Sequence, residues 1–141
     1  MNEQQTVFIS YAREDLAKAC LLFDELSQSG FKPWLDKKCL LPGQLWEPAI
    51  EKAISESRFF LALISVNSVS EQGYVLKEFR QALEKLDEFP ESEIFLIPVR
   101  LDDSRPTSHR RLAKLNWLDM FPNWSEGMVR LQAALGGIRT R

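Results

Sequence analysis

Histidine is almost missing from this chain and cysteine is scarce: His109 is the single histidine, and Cys20 and Cys39 are the two cysteines. The cysteines form no C-x-x-C pair and stand at no His/Cys metal spacing, so neither a zinc site nor a disulfide framework is expected and no metal ligand is assigned. His109 falls in a charged connection, which leaves a Ser/His/Asp triad unsupported and this residue without an expected catalytic part. An excess of one charge is missing too. Eighteen Lys and Arg stand against twenty Asp and Glu, a net charge of −2, so the basic surplus of a nucleic-acid binder is absent and no direct nucleic-acid partner is expected. The longest unbroken apolar stretch, Phe59 to Ile64, falls far short of the roughly 20 residues that a membrane span needs. The start, Met1 to Gln5, has neither a basic n-region nor an apolar h-region. A soluble, cytoplasmic chain with no membrane partner is the expectation.

Phosphate-cradling glycine patterns are also lacking. No G-x-G-x-x-G follows the first strand and no G-x-x-x-x-G-K-[ST] occurs, so a bound nucleotide would have to be held by other means. What remains is ordinary globular composition, 45% hydrophobic and 27% charged. At 141 residues and roughly 150 residues per domain, the reading is one domain with a core over about 5–136.

Short β-branched and aromatic runs alternate with segments of helical period, which is the pattern of βαβ units and a parallel sheet. Strands are predicted at Thr6 to Ile9, Phe31 to Leu35, Phe59 to Ile64, Ile94 to Val99 and Leu115 to Leu118. Pro33 is allowed in the second if it lies at the strand start or on an edge. Apolar stripes predict helices through Leu16, Ala19, Cys20, Phe23 and Leu26, ending at Gly30, and through Trp46, Ile50, Ala53 and Ile54. Two more run over Tyr74 to Leu86 and through Met128, Leu131, Gln132 and Leu135, the last stopped at Gly136-Gly137. Asp36 to Leu45, with the turn pair Pro42-Gly43, reads as a loop, as do Ser65 to Gly73 and the charged connection Arg100 to Arg110. Five strands with intervening helices fit a flavodoxin-like α/β sheet with helices on both faces, whose ligands sit beyond the carboxyl ends of the first and third strands. A phosphorelay receiver would need an Asp at the end of the third strand, where this chain has Leu63-Ile64-Ser65.

Within that frame the segments Val7-Phe8-Ile9-Ser10-Tyr11, Arg13-Glu14-Asp15, Gly30-Phe31, Trp34-Leu35-Asp36, Pro42-Gly43, Trp46 and Ala53-Ile54 follow in order. After them come Ser57-Arg58-Phe59-Phe60, Ser65, Asn67, Tyr74-Val75-Leu76-Lys77-Glu78, Ile97-Pro98-Val99-Arg100-Leu101-Asp102-Asp103 and Trp117. Together they resemble a Toll/interleukin-1 receptor (TIR) domain over nearly the whole chain, most closely its prokaryotic members. The resemblance implies the flavodoxin-like TIR fold and names the loop at about Asp36 to Leu45 the BB loop. It implies either an enzyme that cleaves NAD+ at the nicotinamide–ribose bond, needing no cofactor, or a non-enzymatic signalling scaffold. In the enzymes a Glu in the helix after the third strand is catalytic, commonly as Trp-x-x-x-Glu; here Tyr74 takes the aromatic position and Glu78 the carboxylate. The resemblance further implies TIR–TIR assembly into oligomers or filaments, a fused sensor domain, excision from a larger protein, and a role in anti-phage defence.

Read as residues, the same positions keep their alternatives. Glu78 beside Lys77 and Arg80 is, on pattern alone, a solvated helix charge. Ser10 is either a ligand contact or the cap of the following turn. Arg13 either meets a pyrophosphate through its guanidinium or pairs with Glu14 or Asp15. Tyr11 and Trp34 end strands on the ligand side and could stack on adenine or nicotinamide, Trp34 having a core role as its alternative. Asp15 is a good helix N-cap, and Trp46 reads as a packing residue. Leu40, Leu41, Leu45 and Trp46 around Pro42 and Gly43 form an apolar loop cluster, either a self-association surface or packing on its own core.

Overall fold

The computed structural model describes residues 5–69, 74–105 and 110–136, leaving aside the side chains of 74–76. Strands β1 (Thr6–Ser10), β2 (Lys32–Trp34), β3 (Phe59–Ile64), β4 (Leu96–Arg100) and β5 (Leu118–Asp119) form a sheet of order β2-β1-β3-β4-β5. Every pairing is parallel. Helices α1 (Leu16–Gln28), α2 (Asp36–Cys39), α3 (Trp46–Glu56), α4 (Val66–Val69), α5 (Tyr74–Leu86), α6 (Arg110–Lys114) and α7 (Trp124–Ala134) connect the strands or follow them. A 3₁₀ turn, Arg13–Asp15, precedes α1. The predicted flavodoxin-like class is the class observed.

Alternation along the strands sorts the core into two layers. Val7, Ile9, Leu61, Leu63, Ile97 and Val99 meet Leu22 and Leu26 of α1 and Leu131 of α7. Phe8, Phe60, Ala62 and Ile64 meet Ile50 and Ile54 of α3 and Phe79 and Ala82 of α5. β3 is buried at all its positions, as a central parallel strand should be. Pro33 sits in edge strand β2 opposite Val7, and Gly30 ends α1's segment with φ +95°, a backbone angle that suits glycine.

Several boundaries differ from the sequence reading. The loops at Asp36 and Ser65 contain the one-turn helices α2 and α4, and the charged connection ends in α6. β4 lies two residues later at its start than predicted, and β5 starts three later. Elements of two to five residues are too short to show a period. His109, Ser70 to Gly73 and Gly137 lie outside the described residues.

Candidate active site

Ser10 is the last residue of β1 and points, by strand alternation, to the same side as Phe8. On that side lies α5, whose buried face carries Phe79, Ala82 and the carboxyl of Glu78. The Ser10 hydroxyl donates to Oε1 of Glu78, a contact between segments 68 residues apart. Ser10 thus bonds Glu78 instead of capping the turn after its strand. Glu78 is 8% exposed, so its reading as a solvated surface charge is wrong. Burial pushes its pKa up to about 8; the Ser10 hydrogen bond opposes that rise and the nearby Asp36 carboxylate adds to it. Near neutral pH this carboxyl holds a proton.

Asp36 begins α2 immediately past the carboxyl end of β2. Its Oδ1 accepts the Tyr11 hydroxyl at 2.7 Å and its own neighbour's N–H, from Lys37, at 2.7 Å. Burial and this bond to Asp36 hold the Tyr11 phenol well above its ordinary pKa. Ser10, Tyr11, Asp36 and Glu78 therefore form one polar group contributed by β1 and the residue after it, α2 and α5. Asp36 was absent from the predicted site; its signal was its place directly after β2, in Trp34-Leu35-Asp36.

Helix α5 is fixed to α3 by polar ties that set the position of Glu78. Lys77 pairs with Glu47 at 2.6 Å, and Gln81 Nε2 donates to the Glu51 carbonyl at 3.0 Å. Lys85 Nζ reaches the carbonyls of Ile54, Ser55 and Ser57 at 3.1, 2.7 and 2.6 Å, satisfying the carboxyl end of α3 from a neighbouring helix. Between the two helices runs a groove of about 340 Å³ bordered by Glu51, Lys77, Glu78, Arg80, Gln81 and Glu84.

The other predicted residues disperse. Arg13 is exposed in the 3₁₀ turn, and the ion pair with Glu14 or Asp15 that was its alternative reading is not among the described contacts. Trp34 packs, stacked on Phe8 at 5.2 Å and 12°. Tyr74 opens α5 one turn before Glu78, and its side chain lies outside the described residues. The BB-loop cluster divides: Leu40 packs on the α3/α5 core layer, whereas Leu41, Leu45 and Trp46 are 69%, 76% and 54% exposed. Trp46 opens α3 beside the exposed stretch 41–45. Pro42 is exposed in the same stretch, as is Gly43, with φ +87°.

A second polar group lies at the same end of the sheet. Asp15 stands at the start of α1 but its side chain makes no cap bond. Its Oδ2 accepts the Ser65 hydroxyl at 2.5 Å and its Oδ1 accepts Asn67 Nδ2 at 3.0 Å. These tertiary donors replace the predicted N-cap. Among the described residues no three His, Cys, Asp or Glu side chains are grouped to hold a metal, and no helix is long and apolar enough to cross a membrane.

The sequence profile of the family described as TIR domain matches residues 7–132. The chain belongs to the TIR domain family. Protein y4cD of Sinorhizobium fredii (strain NBRC 101917 / NGR234) is 26% identical over 130 residues, 92% of this TIR domain. That match takes in 20% of y4cD, so the chain spans about one fifth of its length. The TIR domains of the activated Roq1 resistosome, which recognises the pathogen effector XopQ, superpose with a TM-score of 0.75 at 23% identity, over 94% of this chain and 99% of theirs. A TIR-STING receptor from C. gigas in complex with 2′,3′-cGAMP gives 0.74 at 21%, over 91% of this chain and 38% of that one. The TIR domain of the Toll-related receptor TRR-2 from Hydra magnipapillata gives 0.67 at 21%, over 89% of each. At these identities the solved structures speak to the shared TIR fold.

Proposed function

We propose that this TIR domain cleaves NAD+ at the nicotinamide–ribose bond, releasing nicotinamide and ADP-ribose or cyclic ADP-ribose, with Glu78 as the acting carboxylate. The observation that carries the reading is Glu78 itself: a buried carboxyl at the carboxyl ends of the strands, bonded to Ser10 and raised in pKa to about 8. Nicotinamide leaves as a neutral pyridine and needs no general acid, while the ribosyl carbon becomes oxocarbenium-like, as in glycoside hydrolysis. A carboxylate facing that carbon stabilises the developing cation. In the hydrolytic branch, water adds to the ribosyl carbon as the carbon–nitrogen bond breaks, and the carboxylate takes up the proton that water gives away.

The resting proton on Glu78 fits a cationic substrate. A pyridinium placed beside a neutral carboxyl favours its ionisation, so NAD+ charges the group that acts on it. Arg13 is the proposed contact for the pyrophosphate, and Tyr11 and Tyr74 are the proposed stacking faces for the rings. In Glu78→Gln the fold should persist and nicotinamide release should fall at least about a hundredfold, followed by chromatography of the products. Unchanged turnover in the folded variant overturns the assignment.

Exposed Leu41, Leu45 and Trp46 favour self-association, and with it a second reading as a scaffold acting through TIR–TIR contacts. The proposed setting joins the two: a cytoplasmic anti-phage effector, part of a longer protein with a sensor, switched on when its TIR domains meet. The much greater length of y4cD supports that larger context. Specific activity should rise with protein concentration by mass action, and Leu45→Asp should abolish clustering and turnover together. Constant specific activity from dilute to concentrated protein would show that a monomer is sufficient, whereas assembled protein without turnover would select the scaffold.

A further inference from the structure

Parallel pairing aligns Trp34, Phe8 and Phe60 across neighbouring strands. Their rings stack in a row, Trp34 on Phe8 at 5.2 Å and 12°, Phe8 on Phe60 at 5.2 Å and 8°. The row ends at Trp34 because β2 is the edge of the sheet. Beside this last ring lies a cavity of about 310 Å³, walled by Val7 and Pro33 on the sheet side and by Ala49 and Ala53 of α3. The two alanines stand where larger residues would have filled the space against the sheet. The charged side chains at the rim are Lys32 and Lys52 against Glu56, and the last two pair only at 4.0 Å. Cys39 of α2, a free cysteine, borders the same space.

This cavity shares no bordering residue with the groove at Glu78. Its walls include Thr6 and Lys32, the first residues of β1 and β2, whereas Ser10 of the Glu78 group ends β1. Its volume lies at the lower end of small-molecule sites. We propose that it is a second ligand site, separate from Glu78, for a small planar aromatic anion whose ring continues the Trp34-Phe8-Phe60 row and whose charge faces Lys32 and Lys52. A flat ring adds an offset-stacked partner to Trp34, and the net positive rim selects the sign of its substituent. The site stands or falls independently of NAD+ cleavage.

The test is titration with naphthalene-2-sulfonate, followed by two-dimensional ¹H–¹⁵N spectra and by the rate of Cys39 alkylation, with Cys20 as internal control. Saturable shifts centred on the Trp34 indole N–H, Lys32 and Ala53 are expected, with protection of Cys39. Ala53→Leu, which fills the cavity, should weaken binding at least about tenfold, and the surface variant Lys32→Glu at least about threefold. Glu78→Gln should bind as the parent does. Absence of saturable shifts in the millimolar range overturns the proposal, as do shifts centred on Trp46 or Glu78, or a folded Ala53→Leu that binds like the parent. Equal binding of uncharged 2-methylnaphthalene overturns its anionic half.

Discussion

Asp15 and Glu78 are both 8% exposed, both lie at the carboxyl end of the sheet, and both accept a serine hydroxyl. Their surroundings make them different instruments. Both oxygens of Asp15 are engaged, and its partner Ser65 itself accepts the backbone N–H groups of Asn67 and Ser68 at 3.0 and 3.2 Å. That closed network fixes the turn after β3 to the turn after β1. Among the described residues Glu78 has the Ser10 hydroxyl as its one hydrogen-bond donor, and a second acid, Asp36, stands close enough to raise its pKa. A buried acid with a donor on each oxygen ties a fold together; one with a single donor and an anionic neighbour keeps a proton that a cation can displace.

The largest effect that would break this contrast is on turnover. Glu78→Gln is expected to lose at least about a hundredfold in NAD+ cleavage, whereas Asp15→Asn should keep the activity of whatever fraction folds. The reverse result would exchange the roles of the two acids. Next is stability. Asp15→Ala leaves the Ser65 hydroxyl and the Asn67 amide without their acceptor and should cost about 1–3 kcal/mol in denaturant unfolding, more than Glu78→Gln costs below neutral pH.

The third effect is pH-dependent. Because the folded pKa of Glu78, about 8, lies above its ordinary 4.5, its contribution to stability is complete below 4.5 and is lost as pH rises through 8. Each unit of separation corresponds to about 1.4 kcal/mol at high pH. Glu78→Gln, always neutral, should therefore gain on the parent protein as unfolding is measured at increasing pH. The finest test is the activity profile. Cleavage by an ionised Glu78 should rise through pH 8 in the free enzyme. Asp36→Asn should move that rise to lower pH and Ser10→Ala to higher pH, and a profile indifferent to both would detach Glu78 from its neighbours.

Much of this was legible in the sequence, for reasons that individual residues make clear. The all-apolar run Phe59 to Ile64 carries the mark of a central strand, and the three- and four-residue spacing from Leu16 to Leu26 that of a buried helix face. Glu78 was found through the Tyr74-to-Glu78 match to a known family. Its burial was not legible, since a charge flanked by Lys77 and Arg80 looks solvated until the sheet is placed against it. Asp36 was missed because its meaning lies in proximity to Tyr11 and Glu78, 25 and 42 positions away, which no local pattern encodes. Asp15 misled because its side chain satisfied a local rule on paper and a tertiary one in the fold.

Pro33 bears on what kind of crowd this protein can join. A parallel sheet that ends in an unblocked strand offers a template on which another chain can grow, and high local concentration is the condition that makes such growth hazardous. At this margin the exposed strand is three residues long and its middle residue has no N–H to give; at the opposite margin the strand is two residues long. Neighbouring copies are thereby denied a shared backbone ladder and must meet through side chains. Any self-association of the kind proposed above would then proceed without a backbone ladder to template further growth.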